Sequence, residues 1–315
     1  MKGAKSWAEA GLDKYAGADK FNTLKKIIFS YQRVLVAFSG GCDSAFVLKV
    51  ARASLGGKNV LAVIAKSPSL PESEFEEAKR IAQEIDCELL AIKTHELENP
   101  GYASNPVNRC YFCKSELYSR LIPIAEARGF RFILNGTNQD DLGDWRPGLK
   151  AAGEYEIKSP LVEAGFTKSE IRTRSRSLGL STWSKPQAAC LSSRIPFGTA
   201  VTTDRLKQIE AGEEILKGLG FEMLRLRWFG ERALIEVGLE DTKVFFRNPE
   251  VRESALLQLK NLGFQSIHLD LQGYRSGRFN PAGSQRQSLT PSSDARPTFV
   301  RDEKHKRTIP NETFY

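Results

Sequence analysis

The stretch A-F-S-G-G-C-D-S, residues 37–44, lies where an apolar run meets a helical one, and it decides the fold. The run R-V-L-V-A-F-S at 33–39 is short and rich in β-branched residues, which predicts a buried strand. A helix is predicted from about Asp43 to Ser54. Glycines at such a junction let the backbone approach an anion closely, and the N-terminus of the following helix directs unpaired N–H groups toward it. The stretch therefore predicts a phosphate-binding loop.

The side chains of this loop fit the same chemistry. The hydroxyls of Ser39 and Ser44 can donate to phosphate oxygens, and the Asp43 carboxylate suits a magnesium ion bound to a polyphosphate. The loop is not of the kinase type, because the pattern G-x-x-x-x-G-K-[ST] is absent. The predicted nucleotide contacts in this stretch are Ala37, Ser39, Gly40, Gly41, Asp43 and Ser44.

Strands and helices alternate in the first part of the chain. Further buried strands are predicted for N-V-L-A-V-I-A-K at 59–66, C-E-L-L-A-I-K-T at 87–94 and F-R-F-I-L-N-G-T at 130–137. Helical patterns at 71–85 and from Lys114 to Arg128 separate them. This alternation predicts an α/β fold with a doubly wound parallel sheet, which we assign to residues 21–185.

The pattern changes near Pro186. A helix from about Thr203 to Leu219 precedes two strands, a helix at about 249–262 and a last strand. This order predicts a smaller α+β domain with an antiparallel component, which we assign to residues 186–275. The remaining segments are expected to be an N-terminal extension, 1–20, and a flexible tail, 276–315.

The motif S-G-G-x-D-S after an apolar strand resembles the pyrophosphate loop of the N-type ATP pyrophosphatases. Members of that superfamily bind ATP with Mg²⁺, adenylate a substrate oxygen and release pyrophosphate, and the resemblance implies the same here. The segment N-G-T-N at 135–138 closes a later strand, where ligands of open α/β sheets bind. It resembles the superfamily segment that faces the nucleotide, which adds Gly136, Thr137 and Asn138 to the expected ATP contacts.

Charge and composition limit the partners and the compartment. The net charge of +8 suggests an anionic partner, which nucleotides, phosphorylated metabolites and RNA would all satisfy. No apolar run is long enough to span a membrane, and the start of the chain lacks the apolar core of a secretory signal, so we expect a cytoplasmic protein. An odd number of cysteines argues against a disulfide framework. A homo-oligomer is expected because symmetric oligomers are common.

Three cysteines, Cys110, Cys113 and Cys190, are candidates for one site. The pair in N-R-C-Y-F-C-K at 108–114 is compatible with a redox disulfide, a zinc site or an iron–sulfur cluster. A loop before Cys110 and an ATP-binding fold disfavour the disulfide, and a shortage of further ligands disfavours zinc. Three thiolates suit a [4Fe–4S] cluster with one open iron.

Four stretches together resemble the LarE family over roughly residues 20–280. They are A-F-S-G-G-C-D-S, N-R-C-Y-F-C-K, A-A-C-L-S-S-R-I-P-F-G and D-L-Q-G-Y-R-S-G. The resemblance implies a sulfur transferase that adenylates a carboxylate of pyridinium-3,5-biscarboxylic acid mononucleotide and replaces AMP with sulfur. Its product is a precursor of the nickel-pincer nucleotide cofactor of lactate racemase.

The family has two sources of sulfur. One subgroup sacrifices the sulfur of a lone cysteine in the segment that holds Cys190 here, and the other has three cysteines and depends on a cluster. The three-cysteine pattern of this chain implies a [4Fe–4S] cluster on Cys110, Cys113 and Cys190, with Cys190 as the catalytic residue, and a sacrificial Cys190 as the alternative. The sulfide donor is left open.

Arginine side chains are expected to bind the anionic groups of a mononucleotide with two carboxylates. The candidates by resemblance and by position next to Cys190 are Ser193, Arg194, Arg225 and Arg227. One of Glu210, Glu213 and Glu214 is a candidate for magnesium or substrate, and Arg109 for a cluster or a phosphate.

Three other functions remain open alternatives. A tRNA thiolase would share the phosphate loop and three cysteines, although no RNA-binding module is evident and nucleic acid is an unlikely partner. An ammonia-using amide synthetase would not need the cysteines. A nucleotide-binding regulator without catalysis is the third.

Overall fold

The computed structural model describes residues 19–143, 146–187, 189–275 and 278–279. Within these residues no helix combines the length and the apolar character that crossing a membrane requires. The rest of the predicted N-terminal extension and of the predicted tail lies outside the described residues.

A four-stranded parallel sheet forms the first part of the fold, which confirms the predicted α/β class. Its strands are β1 (Val34–Ala37), β2 (Val60–Lys66), β3 (Leu89–Lys93) and β4 (Phe132–Leu134). The spatial order is β3-β2-β1-β4. In register, Val34 of β1 pairs with Val60 of β2 on one side and Phe132 of β4 on the other.

Helices cover both faces of this sheet. In chain order they are α1 (19–30), α2 (Cys42–Leu55), α3 (Glu72–Glu84), α4 (Pro100–Ala103), α5 (Arg109–Ala127), α6 (Pro147–Glu154), α7 (Pro160–Glu163) and α8 (Lys168–Ser177). Val34 and Val36 face a core built with α2, α3 and α8, whereas Leu35 faces a core built with α5 and α6. Because alternate residues of a strand point to opposite faces, a sheet buried on both sides needs apolar residues throughout, as β1 and β2 have.

The start of α5 differs from the prediction. The helix begins at Arg109, five positions before the predicted Lys114, so that Cys110 lies in its first turn and Cys113 at the start of its second. Cysteine and aromatic residues have low intrinsic helix propensity, which concealed this turn in the sequence. Tertiary packing stabilises it, because Phe112 and Cys113 pack against a small apolar cluster that includes Leu191.

A three-stranded mixed sheet forms the second part. It consists of β5 (Leu224–Phe229), β6 (Arg232–Val237) and β7 (Ser266–Leu269), with α9 (Thr203–Gly218), α10 (Leu239–Arg247) and α11 (Pro249–Asn261) packed against it. β5 and β6 are antiparallel, as predicted, and β6 and β7 are parallel. The helix α10 was not predicted, because it is short and follows β6 after a single glycine. The division of the chain at residue 186 stays a prediction.

Candidate active site

The two predicted nucleotide loops meet at one edge of the first sheet. The strand order places β1 beside β4, which is where the direction of chain connection reverses, and open α/β sheets bind ligands in the crevice at such a point. A Cβ on Gly136, after β4, would lie 2.7 Å from the backbone nitrogen of Ser44. The loops after β1 and β4 therefore pack backbone against backbone, and only a glycine permits this approach.

The loop after β1 has the geometry of an anion site. Gly40 has a φ of +70°, a conformation that favours glycine. Gly41 precedes α2, and no side chain caps this helix, so its first N–H groups remain available to an anion. The hydroxyls of Ser39 and Ser44 lie 3.0 Å apart in this loop, and the buried Ser44 hydroxyl is within hydrogen-bond distance of the carbonyl of Gly41 at 3.2 Å.

Asp43 carries a buried oxygen that has no hydrogen-bond partner among the described residues. Its Oδ2 pairs with Lys168 Nζ, at the start of α8, while Oδ1 is the unpartnered atom. Burial raises the pKa of the Asp43 carboxyl and the charge of Asp141 raises it further, whereas Lys168 lowers it. A buried carboxylate oxygen beside a phosphate loop fits a ligand of Mg²⁺, which prefers hard oxygen donors. Lys168 was not predicted as a site residue, because in the sequence it is visible only as part of a basic segment.

The residues of the turn after β4 have two different roles, since some line a cavity and others stabilise the turn. Thr137 and Asp141 line a cavity. Asn138 is 2% exposed, and its Oδ1 accepts from the backbone N–H of Asp140 at 3.0 Å. Asn138 thus shapes the turn, and Thr137 is the side chain that faces the cavity.

This cavity has a volume of about 410 Å³ and extends from the turn after β4 to the second sheet. Cys110 and Cys190 line it between these two ends. Its basic lining residues are Arg109, Lys114, Arg146, Arg225, Arg227, Arg275 and Arg278. Asp141 is the single carboxylate in the described lining, so the cavity suits a ligand with several negative charges.

Arg194 is a buried structural arginine. Its Nε and Nη2 both donate to Glu213 of α9 at 2.9 Å, and its side chain is 3% exposed. Its Nη1 donates to the carbonyl of Cys190 at 2.9 Å. Arg194 therefore fixes the Cys190 loop to α9, and its donors face the protein.

Arg227 has a similar role on β5. Its Nε and Nη2 donate to Oε2 of Glu236, which is fully buried on β6, at 3.0 and 2.8 Å. Its Nη1 donates to the carbonyl of Ser193 at 2.9 Å. Glu236 also accepts from Arg278 at 2.8 Å, so a residue from the predicted tail contributes to the cavity wall. The sequence signal for Glu236 was a charged residue at a buried position of a strand.

Arg225 differs from its two neighbours. It forms no ion pair among the described residues, and its Nη1 donates to the carbonyl of Leu224 at 2.8 Å. Its guanidinium lies 5.1 Å from the centre of the Tyr274 ring. Burial lowers the pKa of Arg225, and the charges of Arg194 and Arg227 lower it further. An arginine repelled by two others and not matched by a carboxylate is suited to bind an anionic ligand.

The three candidate glutamates of α9 are all engaged elsewhere. Glu213 pairs with Arg194, and Glu214 with Lys217. Glu210 accepts from the backbone N–H of Glu72, at the N-terminus of α3, at 2.7 Å. Glu210 thus caps a helix of the first part of the fold, and none of the three is among the cavity-lining residues.

Of the three candidate cysteines, Cys110 and Cys190 line the cavity, whereas Cys113 packs against the small apolar cluster that includes Leu191. All five cysteines are free thiols. Burial raises the pKa of the Cys113 thiol to about 12, and Cys190 and Cys110 add to the effect. Burial and then Cys190 likewise raise the pKa of Cys110. The three sulfurs thus lie within electrostatic reach of one another.

Whether these thiols suit a metal group depends on its size. No three His, Cys, Asp or Glu side chains of the described residues form a group that could hold a metal ion. A four-iron cluster is larger than one ion, so its ligands stand further apart. Three thiols are the soft donor set that iron–sulfur clusters use. The donor chemistry of Cys110, Cys113 and Cys190 fits a cluster, whereas a preformed single-ion site is absent from the described part of the chain.

Comparison with known proteins gives three relatives and one family model. The model, described as NAD synthase, matches residues 21–103, which include β1 to β3. An uncharacterized protein of Synechocystis is 42% identical over 83% of this chain and 97% of its own length. An uncharacterized protein of Methanocaldococcus jannaschii is 28% identical over 81% of this chain and 95% of its own.

The third relative carries a functional name. Pyridinium-3,5-bisthiocarboxylic acid mononucleotide synthase of Lactiplantibacillus plantarum is 39% identical over 87% of this chain and 98% of its own length. With this identity over nearly the whole of the relative, the chain belongs to the LarE family of sulfur transferases, as its motifs predict.

Proposed function

We propose that the protein is an ATP-dependent sulfur transferase that converts a carboxylate of pyridinium-3,5-biscarboxylic acid mononucleotide to a thiocarboxylate. The reaction would serve the biosynthesis of the nickel-pincer nucleotide cofactor. The observation that carries the proposal is the single cavity that runs from Thr137 and Asp141, beside the phosphate loop, past Cys190 to Arg225. The name of the Lactiplantibacillus plantarum relative supports the choice of substrate.

The first step is adenylation, and the phosphate loop provides its binding site. The N–H groups at the start of α2 and the hydroxyls of Ser39 and Ser44 bind the phosphates that leave as pyrophosphate. Asp43 would hold Mg²⁺ through its unpartnered Oδ1, and the ion, when bound, offsets the charge of the leaving phosphates. A substrate carboxylate oxygen attacks the α-phosphorus, the bond to the pyrophosphate breaks, and an acyl-adenylate forms.

The basic end of the cavity orients the substrate. Arg225 binds one of its anionic groups, since its guanidinium has no carboxylate partner in the described residues. Arg194 and Arg227 hold the loop and the strand on either side in fixed positions. Such positioning contributes to rate because it removes the entropy of bringing the reacting atoms together.

The second step is sulfur transfer at Cys190. Sulfur attacks the activated carbon, the bond between carbon and the AMP oxygen breaks, and AMP leaves with its electron pair. We propose that Cys110, Cys113 and Cys190 hold a [4Fe–4S] cluster, which when bound supplies sulfur at its open iron. Arg109 and Lys114 lower the pKa of the Cys110 thiol, against the larger effect of burial.

The reaction is tested by incubating the protein with ATP, Mg²⁺ and the biscarboxylic mononucleotide and identifying the products by mass spectrometry. The proposal predicts AMP, pyrophosphate and a nucleotide in which sulfur replaces oxygen. Formation of ADP, or an amide when ammonia is supplied, would refute it. Tight and salt-sensitive binding of tRNA would instead favour RNA as the substrate.

The source of sulfur is tested by anaerobic reconstitution with iron and sulfide. The cluster proposal predicts iron–sulfur absorbance in the wild type and its loss in Cys110→Ala, Cys113→Ala and Cys190→Ala. Full activity of Cys110→Ala and Cys113→Ala would rule out the cluster. A protein mass that falls by one H₂S after turnover, without absorbance, would show that Cys190 is sacrificed.

A further inference from the structure

Asn105 links the segment before α5 to the loop that follows Cys190. It is fully buried, and the backbone N–H of Gly198 donates to its carbonyl at 2.9 Å. Its side-chain Nδ2 donates to three carbonyls of that loop, those of Ile195 at 3.3 Å, Pro196 at 2.8 Å and Thr199 at 3.0 Å. One amide therefore fixes the course of the chain just beyond Cys190.

Arg109 continues this link toward the sulfurs. The guanidinium is buried, and its Nη1 donates to Asn105 Oδ1 and, at 3.0 Å, to the carbonyl of Ser192. Its Nη2 donates to Cys190 Sγ at 3.9 Å. The side chain of Arg109 thus contacts Cys190, and in the sequence Arg109 directly precedes Cys110. An arginine with these donors facing protein groups is poorly placed to bind a phosphate.

The backbone of Asn105 explains why an asparagine is suited to this position. Its φ of +56° lies in the left-handed region, which asparagine tolerates better than most residues. The side chain must also donate through nitrogen to the loop and accept through oxygen from Arg109. Glycine satisfies the backbone requirement alone, and aspartate lacks the donor.

We propose that Asn105 and Arg109 form a positioning pair that holds Cys190 beside Cys110 and Cys113. The proposal rests on the proposed function in one respect, that these thiols are the sulfur-carrying end of the cavity. The pair explains how cysteines far apart in the sequence reach one site without a preformed metal ion. Neither residue is a catalytic residue, since both act through Cys190.

The positioning role is tested in reduced, iron-free protein with a short bifunctional thiol reagent. Bridged peptides that join Cys190 to Cys110 or Cys113 are quantified by mass spectrometry. The variant Asn105→Gly keeps the backbone conformation and removes the side-chain hydrogen bonds, and Arg109→Lys keeps the charge and removes the planar fork. The matched control is Arg120→Gln, on the same helix, where the arginine is 41% exposed and pairs with Glu116.

We expect the wild type and the control to bridge equally. Bridging should fall roughly fivefold in Asn105→Gly, the factor that corresponds to one hydrogen bond of about 1 kcal/mol, and less in Arg109→Lys. Equal bridging in all four proteins would overturn the positioning role. Thermal melts identify any variant that does not fold, and if Asn105→Gly is one, Arg109→Lys decides the result.

These tests separate the positioning pair from the proposed function, because bridging needs no ATP, substrate or iron. Unchanged bridging in the variants, together with thiocarboxylate formation by the wild type, would overturn the pair alone. Reduced bridging in the variants, with no thiocarboxylate from the wild type, would overturn the function and leave the pair supported.

Discussion

The nucleotide end and the sulfur end of the candidate site are built in different ways. The nucleotide end consists of two short continuous segments, 37–44 and 135–138, whose geometry comes from the backbone and of which Thr137 lines the cavity. Gly40 adopts a positive φ, and Gly136 allows the two loops to touch. The sulfur end is assembled from side chains of α5, the Cys190 loop, β5 and β6, and buried ion pairs hold these elements together.

This difference follows from what each end has to bind. Phosphate groups are recognised by backbone N–H groups at a helix N-terminus, so one glycine-rich turn is sufficient. A sulfur carrier needs several side chains at one point, and these come from distant parts of the chain. Substitutions at the sulfur end should therefore leave the function of the nucleotide end intact. The following four predictions test this independence.

The largest expected effect is that of Cys190→Ala. Thiocarboxylate formation should be abolished, because a cluster-bound sulfur and a sacrificed cysteine sulfur both require this thiol. Pyrophosphate release in the first turnover should remain within about twofold of the wild type, since Cys190 lies away from the phosphate loop; later turnovers should stop because the acyl-adenylate is not consumed. Product mass spectrometry and a pyrophosphate assay measure the two steps. Cys87→Ala, whose thiol does not line the cavity, is the control, and equal loss of both steps in Cys190→Ala would contradict the independence of the two ends.

The second-largest effect is expected for Glu236→Ala, which should lower the free energy of unfolding. It leaves Arg227 buried without its partner and also removes a partner of Arg278, and breaking a buried pair costs about 3–5 kcal/mol. Denaturant unfolding measures the effect. The control is Glu240→Ala, because Glu240 is exposed and its ion pair with Lys243 lies at the surface, so its removal should cost far less than that of Glu236. Similar costs for both variants would show that the ion pair does not hold the sulfur end together.

Asp43→Asn should affect the nucleotide end alone. Loss of the charge on its unpartnered oxygen should slow pyrophosphate release about 100-fold, which corresponds to about 3 kcal/mol of transition-state stabilisation. Thiol bridging between Cys190 and Cys110 should not change. The exposed Asp86→Asn serves as the control for the assay, and a rate in Asp43→Asn equal to that of the wild type would remove Asp43 from the magnesium site.

Arg225→Gln should have the smallest effect. Losing one charge-assisted hydrogen bond to the substrate should raise the substrate KM about tenfold with little change in kcat. Arg227→Gln should instead lower stability, since its guanidinium is paired with Glu236. Steady-state kinetics and unfolding curves of both variants decide between these roles. If the two variants behave alike, the distinction between a binding and a structural arginine is wrong.

The nucleotide end is built from backbone geometry and the sulfur end from distant side chains. This contrast also determined how much of each end could be predicted from the sequence. The four strands and the phosphate loop follow from local apolar runs and two glycines, and the structure contains all of them. The first turn of α5 was missed, because Cys110 to Cys113 have weak helix propensity and are held by packing.

At the sulfur end the sequence identified residue types but not their roles. Arg225 and Arg227 look equivalent in L-R-L-R, and the carboxylate of Glu236 on the neighbouring strand distinguishes them. Asn105 carried no signal at all, since a buried asparagine cannot be told from a turn residue without knowledge of the loop it contacts. Pairings between distant segments are a property of the fold rather than of a local pattern.

The central claim is that one cavity couples activation of a carboxylate to its capture by sulfur. It is tested most directly with a substrate whose carboxylates carry heavy oxygen, by mass analysis of both products after turnover with ATP. The account predicts one heavy oxygen in the released AMP and a thiocarboxylate that has lost it. Unlabelled AMP accompanying thiocarboxylate formation would contradict adenylation of the carboxylate, and with it the account of this cavity.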